Sequence, residues 1–110
     1  MIINIRTALG ANGTATPLSG SIYEFVTEPS LIEIGIAADA TGVLAQINSG
    51  PDTILEADSP VSVKAINTLP VYPDDFFSDE AMPTDRLSVK LRDTSGVARV
   101  VMTQVRITPL

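Results

Sequence analysis

The sequence predicts an all-β protein, an antiparallel sandwich or barrel of about nine short strands. Three observations lead to this fold class. Apolar residues alternate with polar residues in several short segments, as expected for strands with one buried face. Clusters of Gly, Pro, Asn, Asp and Ser separate these segments, where tight turns are needed. The crossover helices that parallel strands require are missing, which favours antiparallel pairing.

The clearest strands show strict alternation. Residues 31–38 place three isoleucines on one side and Glu33 on the other. The same period recurs in residues 61–66 and 86–92. These three segments are therefore predicted to be strands with one buried face.

Further patterns predict one hairpin and several weaker strands. Residues 98–107 follow residues 86–92 across the turn Asp93–Gly96, so we expect residues 86–107 to form one long hairpin. Prolines would confine the last of the weaker strands to a sheet edge. The weaker strands are residues 2–6, 22–27, 43–48, 53–57 and 69–72.

The chain is long enough for one domain. We assign residues 1–20 to an N-terminal strand or arm and residues 21–110 to a single β-sandwich domain. Only Asp74–Met82 resembles a helix, because aspartates at its start could cap it and Pro83 would end it. We expect this short helix as an insertion in a loop.

The composition excludes several classes of function. The chain has no His and no Cys, which rules out imidazole bases, thiol nucleophiles, disulfides and metal sites built from these residues. No Gly-x-Ser-x-Gly motif or phosphate-binding glycine loop occurs. The formal net charge of −6 disfavours contact with nucleic acid and with anionic lipid. We therefore expect no enzyme activity, no small-molecule substrate and no direct nucleic-acid contact.

The N-terminal residues Met1–Leu9 lack the charged start and long apolar core of a secretory signal. No apolar run approaches the roughly 20 residues of a membrane-spanning helix. We expect a protein made in the cytoplasm without a signal peptide and not inserted into a membrane.

The most conspicuous polar cluster is an acidic run that ends at Asp85. Carboxylate oxygens suit Ca²⁺, but the run lacks the alternating ligands and central Gly of an EF-hand loop. A solvated loop is the favoured interpretation, a Ca²⁺ site is the alternative, and no other cofactor is expected. The metal-ligand candidates are Asp74, Asp75, Asp79 and Glu80.

Some predicted strands are apolar on both faces, which predicts association between copies. Two sheets cannot cover four apolar faces, so the surplus must be buried by the N-terminal segment or by another subunit. The aromatic cluster in Tyr72–Phe77 is interpreted as a plug for one open end of the sandwich, with a subunit contact as the alternative. The predicted interface residues are Ile22, Tyr23, Val26, Tyr72, Phe76, Phe77, Val100 and Met102.

Eight predicted strands follow the N-terminal one, with one long loop before the penultimate strand. Together with Ser49–Asp52, Val71–Phe76 and Val105–Pro109, this pattern over residues 20–110 resembles the single jelly-roll proteins of viral shells, particularly small structural proteins of bacterial viruses. The resemblance implies a jelly-roll type of sandwich and a homo-oligomeric capsid or capsid-decorating protein that contacts other virion proteins. The acidic charge without a basic tail departs from capsid proteins that touch a packaged genome.

Two other functions stay open. One is a small β-sandwich ligand-binding or adhesion module, with a Ca²⁺ or glycan site among the acids of residues 74–85 and the neighbouring aromatics. The other is a carboxylate-based hydrolase, since two acids suffice for that chemistry.

Overall fold

The computed structural model describes residues 2–20 and 24–110, which form nine strands. The strands are β1 (Ile2–Leu9), β2 (Thr14–Ala15), β3 (Ser30–Ala38), β4 (Val43–Ser49), β5 (Asp52–Pro60), β6 (Ser62–Val63), β7 (Phe76–Ala81), β8 (Leu87–Asp93) and β9 (Arg99–Pro109). Within the described ranges no helix is long and apolar enough to cross a membrane.

The strands form two sheets that pack as a sandwich around one core. The five-stranded sheet has the order β1-β9-β3-β6, and β7 also pairs with β3. The four-stranded sheet has the order β2-β8-β4-β5. All strand pairs are antiparallel except β3 with β6, where Ala37 and Ala38 lie beside Ser62 and Val63 in parallel. The predicted all-β sandwich is confirmed.

Four antiparallel pairs are nested along the chain. β1 pairs with β9, β2 with β8, β3 with β7, and β4 with β5. Successive pairs lie alternately in the five-stranded and the four-stranded sheet, and the ribbon closes through the β3–β9 and β4–β8 contacts. The four nested pairs therefore span both sheets of the sandwich.

The core is formed by the side chains that the alternation predicts to be buried. In the register of β3 and β9, Ile34 lies beside Val105 and Ile36 beside Thr103, all buried. Facing side chains come from β4 and β8 of the other sheet. The largest fully buried apolar side chains are Leu18, Ile32, Ile34, Ile36, Val43, Ile47, Leu87, Val89, Leu91, Val101 and Val105.

The predicted hairpin over residues 86–107 is wrong. β8 lies in the four-stranded sheet beside β4, whereas β9 lies in the five-stranded sheet between β1 and β3. The turn after Asp93 therefore carries the chain from one sheet to the other. In this way β8 pairs along its whole length with β4, and β9 pairs with both β1 and β3.

The predicted helix over Asp74–Met82 is also wrong, because residues Phe76–Ala81 form β7. β7 pairs with β3 from Ser30, beside Ala81, to Gly35, beside Phe76. A helix of at most two turns is marginal by itself, so hydrogen bonds to an adjacent buried strand outweigh its local preference.

Some strands at the sheet edges are shorter than predicted or absent. Residues 69–72 form no strand, and of the predicted strand 61–66 only Ser62 and Val63 are paired. Part of the predicted strand 22–27 lies outside the described residues, and its described part makes a single bridge, between Phe25 and Arg86.

The predicted N-terminal segment 1–20 contributes to both sheets. β1 pairs with β9 along its whole length, and β2 pairs with the end of β8. The short β2 was not predicted. From residue 2 onward this segment is therefore part of the sandwich.

Candidate functional site

The outer face of the five-stranded sheet carries an ordered cluster of aromatic and polar side chains. Side chains that alternate with the core positions of β3 and β9 point to this face. In the register of the two strands, Glu33 lies beside Arg106, Gly35 beside Gln104, and Ala37 beside Met102. We call this surface the outer face.

Phe76 covers the middle of the outer face. It lies beside Gly35 in the pairing of β7 with β3, and a Cβ atom on residue 35 would stand 2.6 Å from its ring. The Tyr72 ring meets Phe76 edge-on, with centroids 5.2 Å apart and an interplanar angle of 76°. This is a favourable aromatic geometry, and the missing side chain at Gly35 makes room for it.

Arg106 lies over both rings. Its guanidinium carbon is 4.0 Å from the centroid of Tyr72 and 5.4 Å from that of Phe76. Its Nε donates a hydrogen bond to Gln104 Oε1 at 3.0 Å. The stacking over Tyr72 and the hydrogen bond together hold the cation against the sheet.

The Tyr72 hydroxyl donates a hydrogen bond to Glu33 Oε2 at 2.6 Å. This bond, with burial and the Glu33 charge, raises the pKa of Tyr72, while the Arg106 charge acts in the opposite direction. The phenol is therefore held in its protonated, donating form.

A connecting segment, residues 64–75, crosses the outer face, and we call it the covering segment. At one end the Lys64 amide donates to the Ala38 carbonyl of β3. Further along, Arg6 Nε of β1 donates to Asn67 Oδ1 at 2.8 Å, and Tyr72 returns to β3 through its bond to Glu33.

Asp75 anchors the end of the covering segment. Burial raises the pKa of Asp75, but hydrogen bonds from Ser62 Oγ and the Val71 amide, with the Lys64 ammonium 3.4 Å away, outweigh burial and lower it. Asp75 is therefore held as a carboxylate that ties β6, Lys64 and Val71 together.

A polar row joins β1 and β9 on the outer face. Gln104 Nε2 donates to Asn4 Oδ1 at 2.8 Å, and its side-chain oxygen accepts from Arg106. Gln104 is only 8% exposed. Its amide is therefore satisfied on both sides, as a buried polar group needs.

The structure distributes the predicted interface residues over several places. Tyr72 and Phe76 meet on the outer face and do not plug an open end of the sandwich, while Val100 and Met102 lie half-buried on the same face. Phe77 has the opposite parity, lies beside Ile34 and is 37% exposed.

Val26 belongs to the core at 5% exposure, so its side chain is already covered within one copy. The predicted interface residues Ile22 and Tyr23 lie outside the described residues.

In the described parts of the chain no three carboxylates are grouped so as to hold an ion. Asp75 is engaged as above, and Asp79 and Glu80 are adjacent in β7 and point to opposite sides of it. Burial and the neighbouring Asp52 carboxyl raise the pKa of Asp79. Asp74 is exposed on the chain before β7.

A shallow cleft of about 220 Å³ lies on the four-stranded sheet, where the register of β4 and β5 shifts. Asp58 is the single carboxylate in its lining, and it accepts a hydrogen bond from Arg92 Nη2 at 2.8 Å. The cleft lining therefore supplies one acid, whereas carboxylate-based glycoside hydrolysis uses two.

The sequence interpretation missed three members of the outer-face cluster: Glu33, Gln104 and Arg106. Their parity is readable, since each alternates with core residues in its strand. The sequence does not predict that residues 64–75 cross the sheet and bring Tyr72 onto the face that carries these three side chains.

No protein-family model matches the chain, and no curated protein sequence matches it.

Proposed function

We propose that this protein is a structural subunit of a virion, a capsid or capsid-decorating protein that works by self-association and catalyses no reaction. In this proposal it is made in the host cytoplasm, and its partners are further copies and other virion proteins.

The observation that carries the proposal is the covering segment on the outer face. It exposes Ile66 at 57%, Val71 at 45% and Tyr72 at 45%, yet it is fixed to the sheet through Asn67 and Asp75. Large apolar side chains held on a rigid support lose little conformational entropy on binding, which favours a protein–protein contact.

The side-chain chemistry of the cluster also supports a protein interface. Tyr and Arg are enriched among residues that dominate binding energy, and Tyr72 and Arg106 are stacked on each other. The half-buried Val100 and Met102 extend the apolar surface along β9.

The nested strand order supports the virion assignment by analogy alone, since viral shell proteins are among those built in this way. The net charge of −6 supports contact with proteins in preference to nucleic acid.

The test is the molar mass in solution, measured by size-exclusion chromatography with light scattering, with and without Ca²⁺, and by negative-stain imaging of any large species. We expect an oligomer or closed particle in both conditions. A monomer of 11.6 kDa in both would contradict the proposal, and a monomer that responds to Ca²⁺ would favour the ligand-binding or adhesion module.

The outer face is tested by Val100→Asp and Met102→Asp, which should shift the mass toward the monomer while circular dichroism shows that the fold is kept. Val97→Asp is the matched control, because Val97 is a 55% exposed valine in the turn between β8 and β9. Equal loss of assembly in all three variants would contradict a role specific to the outer face.

A further inference from the structure

The two sheets end in strands that could pair with another chain. β1 and the β6–β7 side bound the five-stranded sheet, and β2 and β5 bound the four-stranded sheet. Strand edges offer unpaired N–H and C=O groups, and proteins usually protect them by short length, charge or bulges.

Three of these edges are protected. β2 has two residues. β5 carries Asp52, Glu56 and Asp58, its register shifts against β4, and Asp58 has a left-handed φ of 60°. β7 carries Asp79 and Glu80. Negative charge would repel a second copy from β5 and β7, and β2 is too short for stable pairing.

The β1 edge is neither short nor bulged, and it carries little charge. Its eight residues pair with β9 without a register shift, from Ile2 beside Arg106 to Leu9 beside Arg99. Arg6 is its one charged residue. Within the described chain, the main-chain pairing of β1 is with β9 alone.

We propose that β1 pairs antiparallel with β1 of a second copy, so that the five-stranded sheets of two copies become one continuous sheet. This contact rests on the proposed function, since it names a surface through which copies associate. The symmetric, isologous form of the pair needs only one kind of edge.

Charge selects the register. With the two-fold axis perpendicular to the sheet, residues on the same face lie opposite each other. A pair centred on Ile5 joins residues 2–8 of both copies and places Asn4 opposite Arg6 of the second copy. Centring on Arg6 would place the two cations face to face, and centring on Asn4 would pair only residues 2–6.

The Ile5-centred register also matches apolar positions. Ile3 lies opposite Thr7 of the second copy, and Ile2, which is 57% exposed in one copy, lies opposite Ala8. The paired strands thus cover an exposed isoleucine at each end of the contact.

The test measures the dissociation constant of the dimer by light scattering and analytical ultracentrifugation over a dilution series of the full chain. Asn4→Lys places a second cation opposite Arg6 at two symmetric positions and should weaken the dimer by roughly two- to thirtyfold. Asn4→Lys combined with Arg6→Glu restores opposite charges and should recover the wild-type constant.

Two controls separate association from folding. Thr53→Lys adds the same charge at an exposed position of β5, in the other sheet, and should leave association unchanged. Thermal unfolding of each variant at low concentration reports any damage within one copy, including loss of the Arg6–Asn67 hydrogen bond.

The outcomes distinguish this proposal from the proposed function. Unchanged association in Asn4→Lys, or no recovery in a folded double variant, would overturn the β1 contact while copies still assembled through another surface. A wild-type protein that stays monomeric at every concentration would overturn both.

Discussion

Phe76 lies so close over Gly35 that a Cβ atom added to residue 35 would stand 2.6 Å from the Phe76 ring. The glycine belongs to a buried central strand and the phenylalanine to the neighbouring edge strand. Tyr72 and Arg106 both pack against the Phe76 ring. The positions of all three side chains therefore depend on the absence of a side chain at residue 35.

Gly35→Ala should therefore destabilise the protein by about 1–3 kcal/mol, since the ring must move away from its partners. Denaturant unfolding measures the loss. Gly10→Ala is the control, because a Cβ there meets nothing within 4 Å. Adding Phe76→Leu to Gly35→Ala should recover part of the loss, and a larger loss in the double variant would contradict the steric cause.

Two isoleucines of the five-stranded sheet lie on opposite faces, so we expect their replacement to lower the free energy of unfolding by very different amounts. Ile34 is fully buried, so Ile34→Ala should cost about 2–5 kcal/mol. Ile2 is 57% exposed, so Ile2→Ala should stay within about 0.5 kcal/mol in the monomer. Urea unfolding at low concentration compares the two, and similar losses would mean that the assigned faces are wrong.

The hydrogen bonds of Asp93 predict that the protein loses stability in acid. Hydrogen bonds from the Ser95 hydroxyl and amide, and then from the Asn12 amide, lower the pKa of Asp93. A carboxyl whose pKa is lowered by folding stabilises the protein above its ordinary value of 3.8, and this stabilisation is lost as the pH falls through the folded pKa.

Asp93→Asn should therefore lower the melting temperature at pH 7 and flatten its fall between about pH 5 and pH 2. Thermal unfolding by circular dichroism across this range is the measurement. Asp74→Asn changes the same charge at an exposed position and serves as the control. A wild-type-like acid profile for Asp93→Asn would count against the bonding of this carboxylate.

For Asp79 we expect the opposite dependence of stability on pH. Its pKa is raised by burial and by the neighbouring Asp52 carboxyl, so the fold favours its neutral form. That favourable contribution is present below the ordinary value of 3.8 and is lost as the pH rises through the folded pKa.

Asp79→Asn, which is neutral at every pH, should have a higher melting temperature than the wild type at pH 7, and the difference should shrink toward pH 3. Asp74→Asn removes one charge at an exposed position outside the strand and should not reproduce this pH dependence. A melting temperature below that of the wild type at pH 7 would show that the Asp79 carboxylate is needed.

The Tyr72–Glu33 hydrogen bond predicts that Tyr72 loses its proton at a higher pH than an ordinary tyrosine. The chain has two tyrosines, so Tyr23→Phe leaves Tyr72 as the single phenol to follow by ultraviolet absorbance. Its pKa should lie above the ordinary value of 10.0, and Glu33→Gln should bring it down because the carboxylate acceptor is removed. An unchanged titration in Glu33→Gln would exclude Glu33 as the cause.

The sequence by itself determined the class of structure and most of the strands. The alternation in residues 31–38, 43–48, 86–92 and 98–107 led to β3, β4, β8 and β9, each within two residues of its observed bounds. Alternation is a local property, since successive side chains in an extended chain point to opposite faces whatever the strand pairs with. Tyr72 and Phe76 were indicated as contact candidates by a different local feature, their place in a short cluster of aromatic residues.

Only the tertiary structure decided which strands are neighbours and where the outer-face cluster forms. A turn such as Asp93–Gly96 suits both a hairpin and a passage between sheets, and burial of β8 against β4 and of β9 between β1 and β3 selects the second. Phe76–Ala81 became a strand because β3 offered it hydrogen bonds. The meeting of Glu33, Tyr72 and Arg106 required residues distant in sequence to share one face, and such contacts depend on the closure of long loops, which no local period encodes.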